Sequence, residues 1–94
     1  MLRIGVLVSG GGTNLQAIID AISNGKITNA EIVTVVGSRP GIYALERAKL
    51  NNIPSIVISR KAFNSLEEHD TAVCEHMKYC DVDLIVICLL YTSP

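Results

Sequence analysis

Ninety-four residues bound one small domain or part of one, and a hydrophobic share of 49% is ample for a core. A net charge of -1 leaves no basic footprint for a nucleic acid, and no apolar run approaches the length of a membrane span. Cys74, Cys80 and Cys88 are odd in number and widely spaced, which argues against a disulfide framework or a zinc knuckle and leaves them as reduced core residues.

The N-terminus lacks a signal peptide's charged start and small-residue cleavage site, so a cytoplasmic location is expected. The apolar run from Leu2 to Val8 predicts a buried strand over 2–8. Gly10, Gly11 and Gly12 follow. Leu15, Ile18, Ile19 and Ile22 then recur at helical spacing, predicting a helix over 14–24 with Asn14 as its N-cap. The pattern continues with a strand over 31–37, a helix over 42–51, a strand over 55–58, a helix over 65–79 and a strand over 83–89. Ser65 and Glu68 form a capping box for the third helix, and Glu67, Glu68 and Asp70 suit the dipole at its start. The last strand is almost continuously apolar, the signature of a strand buried on both faces.

Strands alternating with helices imply an α/β fold, a Rossmann-like parallel sheet with strand order 3-2-1-4, truncated after the fourth strand. In that order the first two helices share one face and the third alone covers the other. An under-covered sheet face and an uncovered edge beside the fourth strand are therefore expected, with self-association through them. Strands one and four meet at the topological switch point, where open α/β sheets bind their ligands.

A strand, a glycine loop and a helix start in that order form an anion cradle, because glycines let the backbone approach and the first helical turn presents free N–H groups. The loop departs from the dinucleotide fingerprint: Leu15 stands where the third glycine belongs, and the second strand ends Val35-Val36-Gly37-Ser38-Arg39 without an acid. A P-loop needs Gly-Lys-Ser/Thr, and no lysine precedes Lys26. A monophosphate ester is the expected ligand, held by Gly11, Gly12, Thr13 and Asn14. The bland alternative is a tight turn with no ligand, but turn geometry alone does not call for three successive glycines between strand and helix.

His69 and His76 are the only histidines and share a helical stripe with Leu66, Val73, Met77 and Cys80. His76 and Cys80, one turn apart, are half of a metal site; two soft ligands without a third seldom hold zinc, so partly buried histidines on a packing face are the reading taken. Arg39 could reach phosphate but is read as solvated surface, as are Lys26, Lys49 and Lys78.

The string Arg3-Ile4-Gly5-Val6-Leu7-Val8-Ser9-Gly10-Gly11-Gly12-Thr13-Asn14-Leu15-Gln16-Ala17-Ile18 resembles the start of the phosphoribosylglycinamide formyltransferase family, folate-dependent enzymes of purine synthesis. The resemblance continues at Ser38-Arg39-Pro40, Tyr43-Ala44-Leu45-Glu46-Arg47-Ala48, Ala62-Phe63-Asn64-Ser65 and Asp83-Leu84-Ile85-Val86, and covers 2–87. It implies transfer of a formyl group from 10-formyltetrahydrofolate, the co-substrate, to the amine of glycinamide ribonucleotide. It also implies that the loop of Gly12, Thr13 and Asn14 holds the ribonucleotide phosphate. Catalysis in the family rests on an Asn, a His and an Asp that lie C-terminal to the matched segment. No catalytic residue and no metal ligand is therefore assigned here, and the folate pocket is expected to lie mostly outside these residues. On this reading 1–94 is the N-terminal phosphate-binding part of a single formyltransferase domain.

Three departures stand out. The family usually has Arg or Lys at the position of Leu66, near the substrate cleft. It often has Asn at the position of Arg39. It runs Gly-Phe-Met-Arg after the fourth strand, where this chain has Cys88-Leu89-Leu90-Tyr91-Thr92-Ser93-Pro94, so 88–94 is expected to be a non-native tail. Two other classes fit parts of the loop. The pyrophosphate-releasing ATP enzymes read Ser-Gly-Gly-x-Asp-Ser, but Thr13-Asn14 stands in place of the Asp-Ser that serves nucleotide and metal. A non-catalytic nucleotide-binding module would need no downstream residues.

Overall fold

In the computed structural model, which describes residues 1–88, the apolar run at the start of the chain becomes strand β1, Leu2–Val8, buried from Ile4 onward. The side chain of Cys88 and all of 89–94, on which the expectation of a non-native tail falls, lie outside what is described. β1 pairs in parallel with β2, Ala30–Gly37, on one side and with β4, Leu84–Cys88, on the other. β3, Ser55–Val57, adds in parallel to the outer edge of β2. The order β3-β2-β1-β4 is the one expected.

Two helices, α1 (Thr13–Ser23) and α2 (Tyr43–Leu50), pack on one face. There Leu15 and Ile19 of α1 and Ala44 and Ala48 of α2 meet Ile4, Val6, Val8 and Val35 of the sheet. The third helix, α3 (Leu66–Tyr79), covers the opposite face, where Val73 and Met77 lie on Leu7 and Val36. Gly5 makes that contact close: a Cβ there would stand 2.3 Å from the Met77 sulfur. The buried apolar contacts of α3 on the sheet are with Leu7 of β1 and Val36 of β2, and the expectation that the last strand is buried on both faces fails. Leu84, Ile85 and Ile87 are 46%, 40% and 59% exposed, because β4 is an edge strand among the described residues.

A register shift between Ile4 and Gly5 carries the pairing from Ile4–Ile32 to Gly5–Thr34, so Val33 is the extra residue of a bulge in β2. A one-residue slip inverts the alternation of faces. Ile32 and Val35 thus both serve the α1/α2 core, while Thr34 and Val36 turn toward α3. Thr34, 2% exposed, sits 2.9 Å from His76 Nε2 and is satisfied there.

α3 begins as predicted. Ser65 Oγ accepts from the Glu68 N–H at 3.2 Å, and the Glu68 carboxylate reaches back to the N–H of Asn64 at 3.1 Å. His69 is fully buried, more so than expected, and its Nε2 donates to the Ile58 carbonyl at 2.7 Å. That bond ties α3 to the chain leaving β3. Leu66 leaves the stripe it was placed on and is 61% exposed, because it is the first residue of the helix and precedes the packed turn. A single 3-10 turn, Arg60–Ala62, was not foreseen; Ser59 caps it, its hydroxyl accepting from the Lys61 N–H.

Candidate phosphate-binding site

The site lies at the C-terminal ends of β1 and β2, where Ser9, Gly10, Gly11 and Gly12 carry the chain from strand to helix. β1 stands between β2 and β4, so the loop flanks the switch-point crevice. α1 begins at Thr13, one residue earlier than predicted, and Asn14 is not its N-cap. The cap is Gly12, at φ 77° and ψ 28°, with no side-chain hydrogen bond. The reason is steric: a Cβ on Gly12 would lie 2.7 Å from Ala44 Cβ and 2.8 Å from its Cα, and φ is in the left-handed region that L side chains avoid. The residue that turns the chain must be glycine, and the helix starts immediately after it.

Five successive carbonyls of this loop are each tied back to the protein. Val8 O accepts from the Ser38 N–H at 2.9 Å, Ser9 O from Arg39 Nε at 3.2 Å and Gly10 O from the Ala44 N–H at 3.3 Å. Gly11 O accepts from Arg47 Nε at 2.8 Å and Gly12 O from the Gln16 N–H at 2.8 Å. In contrast, among the described residues no backbone carbonyl takes the N–H groups of Gly11, Gly12, Thr13 or Asn14. Gly11, Thr13 and Asn14 are exposed. The loop therefore has its acceptors engaged behind it and its donors open, which is the arrangement an anion needs.

The three helix starts differ in whether an anion could use them. α3 fills its own with Ser65 and Glu68, and α2 carries Glu46 in its first turn. α1 has no acidic residue in its first turn and no capping side chain, so the positive end of its dipole faces outward uncompensated. Two arginines from outside the loop add positive charge: among the described residues neither Arg39 nor Arg47 pairs with a carboxylate.

The four residues predicted to bind substrate thus fall in one turn, Gly11 and Gly12 offering backbone and Thr13 and Asn14 offering backbone and side chains at the surface. Arg39, read as solvated surface, is exposed but donates to the loop. Ala44 and Arg47 were missed. Nothing in their spacing marks them, because they reach the loop across more than thirty residues of sequence through helix packing. The other candidates lie apart. His76 Nε2 is 3.6 Å from Cys80 Sγ, so the pair does meet, but its third neighbour is the Thr34 hydroxyl. Among the described residues, no cluster of three His, Cys, Asp or Glu is placed to hold a metal.

A family model described as formyl transferase matches residues 2–91. The phosphoribosylglycinamide formyltransferase of Haemophilus influenzae is 45% identical over 87 residues, which cover 93% of this chain and 41% of that protein. The trifunctional purine biosynthetic protein adenosine-3 of Drosophila melanogaster is 43% identical over 86 residues, 90% of this chain and 6% of that protein. Among solved structures, glycinamide ribonucleotide transformylase 1 from Symbiobacterium toebii superposes with a TM-score of 0.88 at 36% identity, over 99% of this chain and 43% of that one. The chain spans less than half the length of these relatives. With the sheet order, the glycine loop and a family match over nearly the whole chain in agreement, this chain belongs to the formyl transferase family.

Proposed function

We propose that this chain forms the N-terminal, phosphate-binding part of a phosphoribosylglycinamide formyltransferase domain. The complete enzyme passes the formyl group of 10-formyltetrahydrofolate to the amine of glycinamide ribonucleotide. The observation that carries the reading is the one-sided loop at Gly10–Gly12, its carbonyls tied back and its N–H groups open at the start of α1. The names of the relatives support the substrate. On this reading Gly11, Gly12, Thr13 and Asn14 hold the ribonucleotide phosphate, and no residue of the chain is assigned to the folate. The relatives' part in purine biosynthesis supports the cytosol as the working location.

The test is a titration of the 94-residue chain with glycinamide ribonucleotide, inorganic phosphate and ATP–Mg, followed by the amide signals of Gly11, Gly12 and Thr13. Saturable shifts with the ribonucleotide and with phosphate are expected. A response to ATP–Mg alone would instead favour the pyrophosphate-releasing ATP enzymes. No turnover of 10-formyltetrahydrofolate is expected from these residues by themselves, since the family's Asn, His and Asp are not among them; a measurable rate would overturn that part of the proposal.

The apolar edge at β4 bears on behaviour in solution. Ile85 and Ile87 present exposed side chains on one face of β4 and Leu84 on the other, beside a strand whose outer backbone edge is unpaired among the described residues. The chain is expected to self-associate as its concentration rises, and Ile85→Lys with Ile87→Lys should suppress this. Sedimentation velocity checks it, and a monomer at every concentration would refute it.

A further inference from the structure

Arg47 stands outside the loop yet makes one of its shortest bonds. Its Nε donates to Gly11 O at 2.8 Å and its Nη1 to Gln16 Oε1 at 3.2 Å. The guanidinium lies over the Tyr43 ring, 4.8 Å from the centroid, so it is held from both sides. Gln16 is itself steadied by Asp20, to which its amide donates at 3.0 Å. The carbonyl that Arg47 grips and the N–H of Gly12 belong to one planar peptide unit and point in opposite directions. Fixing the oxygen on Arg47 therefore fixes the Gly12 N–H toward the open side. A cationic donor on the carbonyl also polarises the peptide, which strengthens its N–H as a donor.

We infer that Arg47 is a positioning residue of the phosphate site, acting through the Gly11 carbonyl to hold the Gly11–Gly12 peptide with its N–H toward the anion. The inference rests on the phosphate reading proposed above. Its mechanism differs from a plain counter-charge, because it needs the rigid guanidinium fork and not only a positive side chain.

That difference gives the test. The 94-residue chain and its Arg47→Met, Arg47→Lys and Lys49→Met variants are titrated with inorganic phosphate and with glycinamide ribonucleotide while backbone amides are observed. Lys49 carries the same charge on the same helix, is exposed and makes no bond to the loop, so Lys49→Met controls for charge. Arg47→Met and Arg47→Lys should each weaken both ligands by about tenfold or more, the scale of losing a charge-assisted hydrogen bond. Lys49→Met should leave affinity unchanged. In the free protein the Gly11, Gly12 and Thr13 amides should move in both Arg47 variants while those of Val6 and Val35 stay in place. Val6 and Val35 also report folding; should Arg47→Met lose their dispersion, Arg47→Lys decides. Wild-type affinity in Arg47→Lys would make the residue a counter-charge and overturn the inference, as would wild-type affinity in Arg47→Met. Failure of the wild-type chain to bind either ligand would overturn the phosphate reading itself, and is told apart because it appears before any substitution is made.

Discussion

Gly12→Val is expected to abolish phosphate binding and to destabilise the fold. Two costs add. A β-branched residue at φ 77° pays about 1–2 kcal/mol for the left-handed conformation. Its Cβ would also stand 2.7 Å and 2.8 Å from the Cβ and Cα of Ala44, the second a backbone atom that cannot swing aside, and overpacking of this kind costs about 1–3 kcal/mol. Relief comes only by moving the loop off α2, which breaks the Ala44 N–H bond to Gly10 O and turns the open N–H groups away from the ligand. Gly11→Ala is the contrast. A Cβ there meets nothing within 4 Å, so that variant should melt with the parent. Urea denaturation and phosphate titration of the two variants check the pair. Unchanged phosphate affinity in Gly12→Val would show that the loop is only a turn.

Leu15→Ala should cost about 2–5 kcal/mol of stability, because Leu15 is 0% exposed and its truncation leaves a cavity under the first turn of α1. That is a large share of the roughly 5–15 kcal/mol that holds a typical domain. Leu15 packs with Val6, Val8 and Ala44 in the cluster beneath the loop. Its side chain is fully buried in that cluster, whereas the open N–H groups belong to exposed or half-exposed residues. Denaturant midpoints should therefore fall while the phosphate affinity of the folded fraction holds, the reverse of Arg47→Lys. A midpoint within experimental error of the parent would mean that α1 does not depend on this anchor.

How much of this was legible beforehand follows from the range of the interactions concerned. The strands, the helices and the glycine loop are local patterns, readable from Leu2 to Val8, from Gly10 to Gly12 and from the spacing of Leu15, Ile18, Ile19 and Ile22. The cap at Ser65 is equally local and formed as read, while Glu68 reaches back to the N–H of Asn64, one residue before the cap. Asn14 was misplaced as a cap because its suitability is a propensity, whereas Gly12 is imposed by a neighbour thirty-two positions away, Ala44, which leaves no room for a Cβ. The open edge beside β4 was expected, but its apolar run was read as burial on both faces, which fails for a similar reason. A continuous apolar run gives composition but not what stands beside it.

By itself the sequence determined the α/β alternation, the sheet order through the connection rules, and the place of the glycine loop between β1 and α1, because each depends on periodicity and on residues close together in the chain. Only the tertiary structure decided which way the loop faces. Its polarity comes from bonds that Ser38, Arg39, Ala44 and Arg47 make to the carbonyls from Val8 to Gly11. It likewise decided that Thr34 turns to α3, through the bulge at Val33. Contacts across dozens of residues depend on how helices and strands pack, and no short stretch of chain encodes them.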